Sequence, residues 1–236
     1  MKKIIFFFVL AIQYAFVSGQ TVTSSVLSQQ EISKVFPENV CRSLDISFPI
    51  IQVHHYSDQS GSYYCVLTES RDGIFEDQYF GGTTTLNRRI KAVNLKEVQG
   101  EFFKQWEIND FIINNKNEEE ISVWFWKKYL LFNDADGDGL VDPILVYGTR
   151  NNFNYTGNGR VKILIFHKGK KSAIRHQGGV LDGERETQID PSFYKLSPKL
   201  QDVVKKQMAF METDQNTYFP RYWEKQMKKK KLLLTE

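Results

Sequence analysis

Cysteine and histidine are scarce in this sequence. Its 236 residues include two cysteines and four histidines, and these form no recognised zinc-binding motif. In an oxidising compartment the isolated pair Cys41 and Cys65 is a candidate disulfide, and two buried free thiols are the alternative. Because spacing along the chain does not fix the distance between two Cα atoms, the sequence leaves both states open.

Long apolar segments are missing beyond the N-terminus. Nothing after residue 19 is long and apolar enough to span a bilayer, so we expect no transmembrane segment there. Residues 4–12 are apolar, follow Lys2 and Lys3, and precede small residues at positions 17–19, which is typical of a secretory signal peptide over residues 1–19. A membrane anchor is the alternative, but the apolar run is short for one. We therefore predict an exported protein, periplasmic, on the cell surface or secreted. It is not predicted to be a lipoprotein, since no cysteine stands at the cleavage point.

The motifs of the common catalytic and nucleotide-binding sites are also missing. The sequence has no nucleophile elbow, P-loop or dinucleotide fingerprint. Its basic character lies in a tail, residues 221–236, where six basic side chains face two acidic ones. We expect this tail to be solvated, with attraction to an anionic envelope surface as the alternative. The rest of the chain has no basic stripe interleaved with aromatics, which argues against a nucleic-acid partner.

What the sequence does contain is an acidic loop at residues 134–142, here called the aspartate loop. Its aspartates stand at positions 1, 3, 5 and 9, as in an EF-hand, but position 12 is Leu145 instead of glutamate. The flanking residues alternate as strands do. The pattern predicts a strand–loop–strand Ca²⁺ site whose ligands are Asp134, Asp136, Asp138, Leu140 (through its carbonyl) and Asp142.

A solvated acidic turn is the alternative reading of the aspartate loop. Four crowded carboxylates repel one another unless a cation neutralises them, which favours metal binding. Mg²⁺ requires stricter octahedral geometry and keeps its waters, so Ca²⁺ is the predicted ion.

The remaining chain predicts a mainly β (α+β) fold, an antiparallel sheet of hairpins with a C-terminal helix packed on it. Hairpins are predicted for residues 50–56 with 62–68, 89–98 with 102–113, and 161–167 with 172–177. Ser28 and Glu31 form a capping box before a short helix. Ser197 and Pro198 open the C-terminal helix, whose predicted apolar face is Leu200, Val203, Val204, Met208 and Met211.

We expect residues 20–220 to form one β-rich domain, with two lobes, 20–115 and 116–220, as the alternative arrangement. Trp124 and Trp126 share one face of a predicted strand. Such a row of aromatics is either part of the core or a surface that stacks on sugar rings.

A second acidic cluster supplies the candidate catalytic residues. His176, Asp182 and Glu184 lie within eleven residues together with Arg175 and Arg185. Acid/base catalysis needs two groups of different pKa held across a substrate, and these three residues include such pairs. The structural alternative is a hairpin end with arginine–carboxylate pairs.

Four segments resemble a family of exported bacterial proteins labelled as surface polysaccharide biosynthesis proteins. They are Trp-Glu-Ile-Asn-Asp-Phe at 106–111, the aspartate loop with Val-Tyr-Gly-Thr at 146–149, Ile-Arg-His-Gln at 174–177, and Asp-Pro-Ser-Phe-Tyr at 190–194. The loop alone is similar to the loops of FG-GAP-type propeller blades, but no second copy is present, as a propeller would need. The family resemblance implies an envelope protein needed for surface glycan production, with no catalytic residues assigned.

The leading hypothesis is therefore an exported, calcium-binding, non-enzymatic envelope factor or binding module whose partners include envelope glycans. A hydrolase or transferase acting on polysaccharide through His176, Asp182 and Glu184 is one alternative. A secreted inhibitor or immunity-type protein is another. The oligomeric state is left open by the sequence.

Overall fold

The computed structural model describes residues 21–76, 82–112, 120–151, 159–179 and 181–236. The predicted signal peptide, residues 1–19, lies outside them. The strands are β1 Thr23–Val26, β2 Ile50–Asp58, β3 Gly61–Glu69, β4 Gly73–Glu76, β5 Thr83–Leu86, β6 Arg89–Val98, β7 Glu101–Phe111, β8 Glu120–Phe125, β9 Leu131–Asn133, β10 Asp142–Asn151, β11 Gly159–His167, β12 Lys170–Gly178, β13 Glu186–Ile189 and β14 Leu233–Leu234. The α-helices are α1 Gln29–Val35, α2 Glu38–Ser43, α3 Pro198–Thr213 and α4 Trp223–Lys228.

The first sheet has the strand order β1-β2-β3-β6-β7, and all of its pairings are antiparallel. The hairpin predicted for residues 50–56 and 62–68 is β2–β3, and the one predicted for 89–98 and 102–113 is β6–β7. Gln99 and Gly100 connect β6 to β7 with φ values of 54° and 83°. Positive φ at two consecutive residues is the backbone conformation that a two-residue hairpin turn of type I′ requires.

The second sheet has the order β14-β13-β12-β11-β10-β8, with β9 also paired to β10. The predicted hairpin of residues 161–167 and 172–177 is β11–β12. Its turn, Lys168 and Gly169, again has positive φ at both positions. The short β4–β5 hairpin forms a separate two-stranded ribbon.

Alternation along the strands builds four layers. On β10, Ile144 joins a hydrophobic cluster shared with α3 and α4, whereas Leu145 joins the cluster between the two sheets. On β3, Val66 packs towards α1, and Leu67 packs between the sheets. The described chain is therefore arranged in the order helices, sheet, sheet, helices. One hydrophobic cluster lies between the two sheets, and one lies under the helices on each outer face.

The C-terminal helix packs on the second sheet as predicted. Ser197 caps α3 by accepting a hydrogen bond from the Leu200 N–H. Leu200, Val204, Met208 and Met211 are fully buried, and Val203 is partly buried. Burying a side chain of this size contributes roughly 1.5–3 kcal/mol. The predicted mainly β class, with antiparallel sheets and a packed C-terminal helix, is confirmed.

The basic tail does not behave as the solvated terminus that we expected. Trp223 and Met227 on α4 and Leu234 on β14 are buried, and β14 pairs with β13. These apolar side chains recur among the lysines and pack against the second sheet, which holds the segment in place. The lysines at positions 228–231 remain exposed.

Cys41 and Cys65 are free thiols in the structure. Cys65 is buried between the two sheets, whereas Cys41 packs with the helices on the outer face of the first sheet. The sheet itself separates them, so the free-thiol alternative holds.

Trp126 packs against the α3 side of the second sheet. No helix in the described part of the chain is long and apolar enough to cross a membrane.

Candidate metal centre

The aspartate loop connects two antiparallel strands. β9 and β10 pair with Asn133 opposite Asp142, so the loop leaves and re-enters the sheet at neighbouring positions. Gly137 and Gly139 both have φ of 85°, a left-handed conformation that glycine adopts without steric cost. The strand–loop–strand connection is as predicted.

Asp134 organises the loop backbone. One carboxylate oxygen, Oδ1, accepts hydrogen bonds from the Gly137 and Asp138 N–H groups at 2.7 and 3.1 Å. The other, Oδ2, accepts from the Gly139 N–H at 2.8 Å. These bonds fold the loop inward, because three successive amides turn towards one side chain.

The folded loop brings its carboxylates together. One ligand atom each from Asp134, Asp136 and Asp138 lies within 4.8 Å of the others, and the same holds for Asp136, Asp142 and His167. Asp136 belongs to both groups. Its Oδ1 atom is buried and has no hydrogen-bond partner in the part of the chain that the structure describes, which is costly for a carboxylate oxygen unless a cation lies against it. These acidic groups can hold a metal ion.

Asp142 is the most deeply buried member, with no exposed side-chain area. Its Oδ2 accepts a hydrogen bond from the Ala135 N–H, and its Oδ1 lies 2.7 Å from His167 Nδ1. Burial raises the pKa of the Asp142 carboxyl, and the hydrogen bonds from His167 and Ala135 offset this only in part. The contact with His167 thus fixes the orientation of this carboxylate.

Asp138 is balanced by a lysine. Lys168 Nζ lies 2.8 Å from Asp138 Oδ2. Burial raises the pKa of Asp138, but the hydrogen bonds from Lys168 and the Leu140 N–H outweigh it, and the pKa is lowered overall. Lys199 Nζ also donates to the Asp136 carbonyl. The loop therefore attracts positive charge from two sides.

The first sheet contributes residues that the sequence analysis missed. Asp58, at the end of β2, accepts a hydrogen bond from the Val141 N–H at 3.0 Å, and the Gln59 N–H donates to the Gly139 carbonyl at 3.2 Å. A Cβ atom on Gly139 would lie 2.1 Å from Gln59 Nε2, so glycine is needed for this close approach as well as for its φ. Nothing in the sequence pairs positions 58–59 with 139–141.

Leu140, the fifth predicted ligand, is half-buried, and its N–H donates to Asp138 Oδ1. The role of its carbonyl as a metal ligand stays a prediction. The sequence pointed only weakly to His167 and Lys168. These residues lie at the turn end of the predicted β11–β12 hairpin, but no sequence feature places that turn beside the aspartate loop.

The candidate catalytic residues have a different environment. His176 lies on β12, is 2% exposed, and packs on the Phe219 ring. Its Nδ1 lies 2.9 Å from Thr187 Oγ1, and burial lowers the pKa of His176 to about 4. A buried imidazole that is neutral at pH 7 is poorly placed to deliver protons to a substrate.

The two carboxylates of this cluster lie in the turn Asp182–Glu184, here called the acidic turn. Asp182 is paired with Arg185 at 2.8 Å and with Arg221 at 2.7 Å. Glu184 Oε2 accepts a hydrogen bond from the Leu181 N–H at 3.0 Å. Among the described residues, no hydrogen bond joins His176 to either carboxylate.

Comparisons with known proteins add no relative. No protein-family model matches the chain, and neither the curated proteins nor the solved structures provide a match. The resemblance to surface polysaccharide biosynthesis proteins thus stays a prediction.

Proposed function

We propose that this protein is an exported, non-enzymatic binding module of the cell envelope whose aspartate loop binds Ca²⁺. The observation that carries the proposal is the convergence of three loop carboxylates, one of them Asp136 with a buried oxygen that lacks a hydrogen-bond partner among the described residues. All of the loop's candidate ligand atoms are oxygens, which suits a hard cation. The irregular loop favours the flexible coordination of Ca²⁺ over the strict octahedron of Mg²⁺.

The cation would act as a staple between the two sheets. Two hydrogen bonds tie the β2–β3 turn of the first sheet to the aspartate loop of the second: the Val141 N–H donates to the Asp58 carboxylate, and the Gln59 N–H donates to the Gly139 carbonyl. A loop made rigid by Ca²⁺ would hold the ends of both sheets in one arrangement. This supports a role in presenting a surface, and it requires no bond-breaking chemistry.

Export and an envelope role are further parts of the proposal. The basic and apolar N-terminal segment supports export, and the higher calcium concentration outside the cytoplasm suits even weak Ca²⁺ loops. The resemblance of four segments to surface polysaccharide biosynthesis proteins supports a place in surface glycan production, with envelope glycans as partners.

The alternative functions have less support. The hydrolase or transferase hypothesis relies on His176, Asp182 and Glu184, of which the first is buried and the other two are engaged by arginines and a backbone amide. The inhibitor or immunity-type hypothesis predicts a stoichiometric protein partner, which a pull-down from the native host would detect.

Thermal unfolding tests calcium binding directly. We expect the melting temperature of the processed protein to rise when millimolar Ca²⁺ replaces a chelator, and to rise less with equimolar Mg²⁺. A melting curve unchanged by millimolar Ca²⁺ would overturn the proposed calcium site.

A deletion strain tests the cellular role. We expect loss of the gene to reduce surface polysaccharide, the wild-type gene to restore it, and a gene encoding Asp136→Asn to restore it poorly. Fractionation of a tagged chain with and without residues 1–19 tests export. Unchanged surface polysaccharide in the deletion strain would refute the envelope role while leaving calcium binding intact.

A further inference from the structure

A groove opens beside the aspartate loop where the edges of the two sheets meet. We call it the rim groove; its volume is about 310 Å³, near the lower end of the range of roughly 300–1,000 Å³ typical of small-molecule sites. Four connected parts of the chain form it, namely the β2–β3 hairpin, the β6–β7 hairpin, the end of the aspartate loop and the β11–β12 turn. A groove of this size takes one six-membered sugar ring.

Aromatic side chains form the walls of the rim groove. Trp106 stacks on Phe166 with ring centroids 3.7 Å apart and planes inclined by 9°. Tyr63 stacks on Tyr56 with centroids 5.1 Å apart and an angle of 11°. Each pair has one deeply buried ring and one half-buried ring. Rings held rigidly in this way offer flat apolar surfaces against which the C–H faces of a pyranose can pack.

Polar groups stand between the aromatic pairs. Asn94 is 2% exposed, lines the groove, and accepts a hydrogen bond from the Tyr56 hydroxyl through Oδ1. Ser60 and Gln105 lie at the exposed rim. A few fixed polar groups within an apolar lining are what orients a ligand that carries hydroxyls.

Among the described residues that line the groove, Asp58 and Lys168 are charged, and of these two Lys168 is available to a ligand. Asp58 is 3% exposed, and its oxygens accept hydrogen bonds from the Ser60 N–H and hydroxyl and from the Val141 N–H. Lys168 is more than half exposed, and its ammonium reaches Asp138 of the aspartate loop at 2.8 Å. Lys168 therefore belongs to the groove and to the metal centre at once.

A cation in the aspartate loop changes what Lys168 can do. A divalent ion neutralises Asp138 and repels the neighbouring ammonium. The long, flexible and exposed lysine side chain can then turn towards the groove. Its positive charge is there free to pair with an anionic group on a ligand.

We propose that the rim groove binds a pyranose that carries a carboxylate, a uronic acid residue, and that Ca²⁺ in the aspartate loop strengthens this binding by releasing Lys168 from Asp138. This inference rests on the proposed function, because it requires the loop to bind the cation. The sugar ring packs between Trp106 and Tyr63, and its carboxylate pairs with Lys168. By linkage, the ligand strengthens Ca²⁺ binding by the same factor.

Titration of the processed full chain with methyl glucuronide and with neutral methyl glucoside tests this inference, with tryptophan fluorescence and calorimetry as readouts. We expect methyl glucuronide to bind at least about fivefold more tightly in Ca²⁺ than in chelator, within the usual range of coupling between sites. Methyl glucoside is expected to bind weakly and without dependence on Ca²⁺, since it has no partner for Lys168.

Two variants and one matched control distinguish the contribution of the Lys168 charge from that of the aromatic wall at Trp106. Lys168→Gln should abolish the Ca²⁺ dependence while retaining the Ca²⁺-induced rise in melting temperature, and Trp106→Phe should weaken binding of both sugars. Lys170→Gln, an exposed charge two residues away that does not line the groove, should behave as wild type. Melting curves of each variant confirm folding.

The outcomes distinguish this inference from the proposed function. If Ca²⁺ stabilises the protein but methyl glucuronide does not bind, or binds Lys168→Gln equally well, the rim-groove inference is overturned and the calcium proposal stands. If Ca²⁺ has no effect on the melting curve, the calcium proposal fails and the coupling fails with it. Equal binding of both sugars would overturn the preference for an acidic ring.

Discussion

The aspartate loop and the acidic turn both crowd carboxylates into a short stretch of chain, but they balance the charge differently. In the acidic turn, Asp182 faces two arginines and Glu184 accepts a backbone N–H. In the aspartate loop, Asp134, Asp136 and Asp138 converge, and a buried oxygen of Asp136 has no hydrogen-bond partner within the described ranges. Converging charge that the neighbouring groups do not fully balance can hold a cation, whereas a cluster of similar composition that is paired with arginines can be purely structural.

The two regions also differ in what they connect. The aspartate loop is held by backbone hydrogen bonds to Gln59 and to the Asp58 carboxylate, which belong to the other sheet. The acidic turn is tied to its own neighbour Arg185 and to Arg221 at the start of the C-terminal segment. A ligand at the aspartate loop can thus influence both sheets, whereas the acidic turn secures one edge.

The largest effect is expected for Asp142→Ala. This change removes the acceptor for the Ala135 N–H and for His167 from a fully buried position, so we expect a loss of about 3 kcal/mol of unfolding free energy even in chelator. Urea unfolding measures it. Asp202→Ala, on the exposed face of α3, is the matched control and should cost less than about 0.5 kcal/mol. A loss for Asp142→Ala as small as that of the control would show that the buried partners do not hold the loop together.

The second-largest effect is expected for Asp136→Asn, which removes negative charge from the centre of the aspartate loop. Because no described residue forms a hydrogen bond with Asp136 Oδ1, we expect little loss of stability in chelator. In Ca²⁺ at about one hundred times its Kd, the wild type should gain about 2.7 kcal/mol, or roughly 5–10 °C in melting temperature, and the variant should gain almost nothing. Asp182→Asn, from the acidic turn, should keep the full gain. If both variants kept it, the loop would not be the calcium site.

The pH dependence of the unfolding free energy tests whether the His176 side chain is shielded from solvent. Burial lowers the pKa of His176 from 6.5 to about 4, so the unfolded chain takes up the proton first and stability falls as pH falls through this window. Between pH 6.5 and pH 5 we expect His176 to contribute a loss of about 1.5 kcal/mol of unfolding free energy, which His176→Gln removes. Urea unfolding at the two pH values measures the difference. A wild-type slope equal to that of the variant would mean that the imidazole is open to solvent and would reopen the catalytic alternative.

The smallest effect is expected for the double change of Asp182→Asn and Glu184→Gln. Both positions are partly exposed, and surface ion pairs contribute little, so unfolding free energy should change by less than about 1 kcal/mol. The surface-polysaccharide phenotype should be unaffected. A variant that folds normally but abolishes the phenotype would favour the hydrolase or transferase hypothesis over a binding module.

Local patterns predicted much of the fold. The β2–β3, β6–β7 and β11–β12 hairpins follow from alternation of apolar residues around short polar turns, and α3 follows from its cap and its apolar face. The packing of the C-terminal tail on the second sheet was not predicted. Trp223 and Met227 lie among lysines, and the basic composition of the segment suggested a solvated terminus. Their burial depends on the second sheet, which no local pattern describes.

Only the part of the candidate site that lies within the aspartate loop could be predicted from the sequence. The spacing of the loop's carboxylates and glycines indicates an ion-binding loop. Its supporting residues Asp58, Gln59 and His167 lie at strand ends or in a turn, far in sequence from residues 134–142. Polar residues are common at such positions, so their type does not reveal the contact. The rim groove was invisible for the same reason, since Trp106 and Phe166 meet only where two sheets pack.

By itself, the sequence determined the antiparallel hairpins, the C-terminal helix and a loop rich in oxygen ligands, because these depend on residue types a few positions apart. The tertiary structure decided which carboxylates converge, which histidine is sealed and which lysine lies between the loop and the groove. Those properties depend on burial and on contacts between chain segments brought together by packing, and the free energy of a buried charge is set by all of its neighbours in space.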